Sequence, residues 1–220
     1  MVTPLKRPVF INLLCLVSAS LAIYFEMSGK REIYIFLKPL TTILIMSHLF
    51  FLSNASFRNG ILAALFFCLV GDALLLFEGY FVYGLAAFLV GHVLFALAFI
   101  RHKGFYLHWG SFVALFGIAT ALFFWLKPDL GTFMVPVALY VLVISFMAWQ
   151  GIGTFLRDKG KAYQWIALAV LLFMFSDTMI AIAKFKSPFY LSGLVILGTY
   201  WLSIALISNA TYHIVAKQKG

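Results

Sequence analysis

The chain has 220 residues, of which 64% are hydrophobic and only 10% charged, and its mean hydropathy is +1.04. Soluble domains carry about 45–50% apolar and about 25% charged residues, so a water-soluble globule, a disordered chain and a coiled coil are excluded. The formal net charge is +9, yet the basic residues fall between apolar runs, as they do when a membrane protein sets its orientation, and this pattern argues against nucleic acid as a partner.

A membrane-crossing helix needs about 20 mostly apolar residues. Eight runs meet that requirement, at about 10–25, 33–52, 61–77, 80–100, 109–126, 133–150, 163–183 and 189–214. The first follows Lys6 and Arg7 and contains Ser18-Ala19-Ser20, which resembles a signal peptide with its cleavage site. The apolar run continues past those serines, so a retained span is expected. Eight spans leave only short loops and tails. The expected fold is an all-α, polytopic membrane bundle of eight transmembrane helices, one integral membrane domain over residues 1–220. Function then has to lie among the helices, with membrane lipids as the surroundings. Cys15 and Cys68 both sit in apolar runs and suggest neither a disulfide framework nor a metal knuckle.

Short-loop Lys and Arg set orientation. Ten of the sixteen (Lys6, Arg7, Arg58, Arg101, Lys103, Arg157, Lys159, Lys161, Lys217 and Lys219) fall on the side shared by the two tails and the even-numbered loops; five fall on the other, and Lys38 lies inside a span. The expectation is a multi-pass protein of the cell (inner) membrane with both termini cytoplasmic.

Ionisable groups inside a span are costly and point to function. Glu26, Glu32, Glu78, Asp129 and Asp158 lie at or near loops and read as solvated charges. Asp72 and Asp177 are followed by apolar stretches and read as intramembrane. With Lys38 near the start of the second span and the two aspartates near the ends of the third and seventh, all three fall in one layer, opposite the termini. Such charges have to face one another or a wet cavity; a Lys–Asp pair that only fixes helix packing would leave the second Asp unexplained.

Gly84, Phe88, Gly91 and His92 share one helical face, and the glycines permit close approach of a neighbour. His92 is a candidate binding residue or a packed, hydrogen-bonded histidine. Tyr140 and Thr199-Tyr200 can bring hydroxyls to the layer, while Asn12, His48 and Asn209 lie nearer the other face and read as helix bridges. There is no G-x-S-x-G, H-E-x-x-H or P-loop, and no histidine-rich set, so neither a metal nor a cofactor is expected. A faint echo links Phe36-Leu-Lys-Pro39 with Phe133-Met-Val-Pro136 and Gly71-Asp72 with Ser176-Asp177. It would fit a four-plus-four parallel repeat, although dipeptides also coincide by chance.

Taken in order, Lys38-Pro39, Gly71-Asp72, Gly84…His92, Ser176-Asp177 with Ala183-Lys184-Phe185, and Thr199-Tyr200 resemble the YhhN family, which includes the lysoplasmalogenases. The resemblance covers essentially the whole chain. It implies a lysophospholipid substrate and hydrolysis of the vinyl ether bond of lysoplasmalogen to a fatty aldehyde and a glycerophospho-base. That chemistry needs a proton delivered to an alkene carbon and a carboxylate that steadies the cation or activates water, and two carboxyls in unlike environments supply both. Asp72 and Asp177 are the expected catalytic pair, with Lys38 holding one ionised, and with His92, Tyr140, Tyr200 and Lys184 as binding or charge-tuning residues. A transporter or proton-coupled carrier is the alternative, although no inverted repeat or broken-helix pair is visible.

Overall fold

The computed structural model describes residues 6–217, and among them there are helices and turns but no strand. Helices α1 (Lys6–Met27), α2 (Arg31–Phe50), α3 (Ser56–Leu74) and α4 (Phe81–Lys103) are followed by α5 (Trp109–Leu130), a 3-10 turn at Gly131–Phe133, then α6 (Met134–Arg157), α7 (Lys161–Phe185) and α8 (Ser192–Lys217). Seven helical runs are long and apolar enough to cross a membrane, because α5 and α6 form one run, Trp109–Arg157. That run doubles back at Gly131, whose φ of 50° only glycine adopts readily. Past the turn, the Trp149 ring of α6 meets Phe112 and Phe116 of α5, with centroids 5.0 Å and 6.4 Å apart.

The surface is unlike that of a soluble protein. Phe36, Val135, Leu16 and Phe124 are each at least 60% exposed, and they come from four different helices. Apolar exposure this broad requires lipid as the solvent. Inside, Phe95, Phe99, Phe173, Met147, Ile166 and Ile204 are fully buried, where α4, α6, α7 and α8 meet. The close packing expected of the helix-4 glycines is present. A Cβ at Gly91 would lie 3.2 Å from the Ala64 carbonyl oxygen of α3, and one at Gly71 would enter the Phe88 ring. The α3–α4 pair can approach this closely only because neither position carries a side chain.

Two boundaries differ from the sequence reading in ways that matter. Helix α3 runs from Ser56 and unwinds after Leu74, so Asp72 sits in its last turn. Helix α6 continues past Gln150 to Arg157, because Gly151 and Gly153 let Val170 and Tyr106 pack against its backbone. The bridging role read for Asn12, His48 and Asn209 holds: Asn12 Nδ2 donates to Asn209 Oδ1 at 3.0 Å, and His48 Nε2 lies 3.0 Å from Asn12 Oδ1.

Candidate functional site

Asp72 is 1% exposed and has partners from two other helices. Lys38 of α2 places Nζ 3.9 Å from Oδ1. Thr42, one turn further along α2, donates to Oδ2 at 2.6 Å, and Tyr200 of α8 donates to the same oxygen at 2.8 Å. The Trp201 indole reaches Thr42 Oγ1 at 3.4 Å. Two hydrogen bonds and a cation satisfy this carboxylate, as a buried charge requires. Glu26 needs a correction: it is a helical, half-buried residue of α1 rather than a solvated loop charge. It sits against Gly193 of α8 and shares the field of Lys38. A side chain at position 193 would displace it, and nothing in the sequence flagged that glycine.

Asp177 of α7 has other neighbours. The Tyr140 hydroxyl of α6 donates to its Oδ2. His92 of α4, fully buried, places Nε2 3.7 Å from the same oxygen, beyond hydrogen-bond reach. Among the described residues no protein atom hydrogen-bonds a ring nitrogen of His92; the ring packs against Phe173 and Tyr140, with centroids 4.6 Å and 5.3 Å away. His92 is thus packed, as expected of it, with Nε2 turned toward Asp177.

Asp177 and Tyr140 line a cavity bounded by α4, α5, α6 and α7, with Leu75, just past the end of α3, at one edge. The rest of the wall is almost wholly apolar, including Leu85, Phe88, Leu122 and Ile144. It is small, about 80 Å³. Leu122 and Ile180 in the wall are only half-buried, so the cavity is not sealed from the bundle surface. At one end Phe81 and Phe185 pack with Phe133. There Lys184 is exposed and holds Nζ 5.1 Å from the Phe81 ring centroid. Nearby, Lys186 pairs with Asp129, so that acid is not free in a loop.

The two acids thus have unequal surroundings. Asp177 faces the cavity, whereas Asp72 is not among the residues of its wall. They share no hydrogen-bond partner. The Phe173 ring stands between their retinues, touching His92 on one side and Tyr200 on the other, 4.6 Å and 5.4 Å between centroids. Lys38 and Tyr200 join Asp72, His92 and Tyr140 join Asp177, and Lys184 lies at the cavity end; the Thr199 hydroxyl turns back to the Val195 carbonyl of its own helix at 2.6 Å. Thr42 and Phe173 were missed. The i+4 spacing of Thr42 from Lys38 could have revealed it, but a central phenylalanine among twenty-five has no local signal. Among the described residues, no group of three or more His, Cys, Asp or Glu side chains is arranged to hold a metal ion.

The YhhN family model matches residues 33–211. The chain is 39% identical over 157 residues to the bovine (Bos taurus) protein named lysoplasmalogenase TMEM86A, covering 67% of this chain and 63% of that one. The human (Homo sapiens) protein of the same name is 38% identical over 67% of this chain and 63% of its own length. Human lysoplasmalogenase TMEM86B is 33% identical over 63% and 57% respectively. The match therefore spans less than two thirds of each of these relatives. No solved structure matches the chain.

Proposed function

The chain belongs to the YhhN family, and on that premise we propose that it is an intramembrane hydrolase of the vinyl ether bond of lysoplasmalogen. The observation that carries the reading is a carboxyl group, Asp177, in the wall of an otherwise almost wholly apolar cavity. The names of the relatives support the substrate class.

In this reading the lipid tail lies in the cavity and its enol ether faces Asp177. Tyr140 donates to Oδ2, which leaves Oδ1 to carry the proton. Asp177 delivers that proton to the alkene carbon, and the ether oxygen shares the resulting positive charge as an oxocarbenium ion. Now a carboxylate, Asp177 accepts a proton from water as the water oxygen bonds to the cationic carbon. The same residue changing from acid to base is the economy of retaining glycosidases. The hemiacetal then loses its hydroxyl proton, its C–O bond to glycerol breaks, and the glycerol oxygen takes up a proton, giving aldehyde and alcohol. Asp72, ionised and held by Lys38, Thr42 and Tyr200, supplies a fixed negative charge near the cation. His92, its Nε2 3.7 Å from Asp177 Oδ2, positions that carboxyl, and Lys184 at the cavity end meets the phosphate. The division of labour is unequal, with one acid in contact with substrate and the other behind it.

We also infer eight membrane crossings. Helices α5 and α6 have 22 and 24 residues, about 33 and 36 Å at 1.5 Å per residue, so each is long enough to cross alone. An even number puts both termini on one face, and the ten-to-five charge count supports the cytoplasm. The four-plus-four repeat gains support from the polar contacts. Asp72 of α3 is bonded from α2 and α8, while Asp177 of α7 is bonded from α6 and approached from α4. Exchanging the two halves turns one set of helices into the other.

The test is aldehyde release from lysoplasmalogen by the purified protein, beside Asp177→Asn. Release that disappears in the variant supports the reading. No release from the native protein, or equal release from both, overturns it; uptake of lipid into proteoliposomes without cleavage would favour a carrier.

A further inference from the structure

A second groove lies between α1 and α8, with Ile45 of α2 and Trp165 of α7 in its wall, and shares no lining residue with the Asp177 cavity. It is roomier, at about 610 Å³ by the same measure, within the usual range of about 300–1,000 Å³ for small-molecule sites. Its α1 wall runs from Asn12 to Ile23 and its α8 wall from Gly198 to Asn209. Twelve residues of helix, eleven rises, cover about 16 Å, close to half of the roughly 30 Å hydrocarbon core of a bilayer. The groove therefore has the length of one leaflet. Its floor is open at Gly198, where a Cβ would meet nothing within 4 Å.

The end nearer the termini is basic. Trp165 lines the groove there and is flanked by Lys161, whose Nζ is 5.6 Å from its ring centroid, and by His213, with centroids 5.1 Å apart. Lys217 lies one turn beyond His213 on α8. All three side chains are exposed. Among the described residues, none of them forms an ion pair, all four pairs lying elsewhere. An apolar channel one leaflet deep, with a tryptophan at the interface and unneutralised cations at its mouth, is complementary to a phospholipid of net negative charge.

We propose that this groove binds one anionic phospholipid from the leaflet on the side of the termini. Its acyl chain lies along α1 and α8, and its phosphate lies between Lys161, His213 and Lys217. The site is separate from the proposed reaction centre and holds or fails independently of it.

The test uses the full chain in nanodiscs and follows tryptophan fluorescence as acyl-brominated phosphatidylglycerol or acyl-brominated phosphatidylcholine replaces unlabelled lipid. Trp165 and Trp201 both line the groove, and a Trp165→Phe/Trp201→Phe variant identifies their share of the quenching. That share should be half-maximal at a phosphatidylglycerol fraction about tenfold lower than for phosphatidylcholine, in line with two lysines near a membrane surface. Lys161→Gln/Lys217→Gln should bring the two curves together without moving the phosphatidylcholine curve. Gly198→Leu should fill the floor and remove the groove-specific quenching by both lipids, in a protein that melts no lower than native. Equal quenching by the two lipids in the native chain, or a preference that survives loss of both lysines, overturns the proposal. So does quenching unchanged by Gly198→Leu.

Discussion

Tyr140 and Asp177, on successive helices and 37 residues apart, are joined by a hydrogen bond from the phenol to the carboxylate at the edge of an apolar cavity. Under the proposed mechanism, Asp177→Asn keeps size and polarity but loses the transferable proton. Aldehyde release should fall by at least about a hundredfold, the lower end for losing general acid–base catalysis. Tyr140→Phe should fall by less, since the proton-carrying oxygen remains. Measuring kcat and KM separately checks this: an Asp177→Asn variant that changes KM alone would remove the proton-transfer role.

Lys38 and Asp72 test a different relationship. Lys38→Met leaves a buried carboxylate without its cation, and breaking a buried pair this way costs about 3–5 kcal/mol. The double variant Lys38→Met/Asp72→Asn removes both charges and should recover most of the melting temperature in detergent. Activity should stay low in both if the Asp72 charge steadies the cation. Recovery of activity together with stability would make the pair a helix staple.

Two glycines in helices predict opposite outcomes. Gly91→Leu must push against the Ala64 carbonyl and Cys68, 3.2 Å and 3.4 Å from the new Cβ, so α3 and α4 separate, at a cost of about 1–3 kcal/mol for overpacking. Gly198→Leu meets nothing within 4 Å and gains helix propensity of nearly 1 kcal/mol. Thermal melts of the two variants should move in opposite directions.

Crossing number can be checked by single cysteines and a membrane-impermeant thiol reagent, in a background lacking Cys15 and Cys68. Cysteines at Gly131 and Lys186 should label from the face opposite that of Asp158. Labelling of Gly131 and Asp158 from the same face would make α5–α6 a re-entrant hairpin instead of two crossings.

In the loop after α6, Lys103 donates to Asp158 at 2.8 Å. That bond, with one from the Gly160 amide, holds the Asp158 carboxyl below the ordinary carboxylate range. A depressed carboxylate contributes stability above its unfolded pKa and loses it as pH falls through its folded one. Asp158→Asn should therefore melt slightly lower than the native chain at pH 7. The difference should shrink as pH falls through the folded pKa of Asp158 and vanish below it, where the carboxyl is neutral like the amide.

The membrane class, the helical segments and the three intramembrane charges were determined by the sequence alone. The reason is local: about 20 apolar residues must cross as a helix because lipid offers the backbone no other hydrogen-bond partner, and a charge in such a run stands out without reference to any neighbour. Tyr140 and Tyr200 could be nominated for the same reason. Only the tertiary structure decided which tyrosine serves which acid, that Phe173 divides their surroundings, that His92 packs between Tyr140 and Phe173 beside Asp177, and that Asp177 alone of the two acids lines the cavity. It also moved Glu26 from a loop into the field of Lys38. Those facts depend on helix rotation and neighbour order, set by close packing at points such as Gly91 against Ala64 and Gly71 against Phe88. Packing of that kind acts between residues far apart in the chain, so no pattern within a single apolar run encodes it.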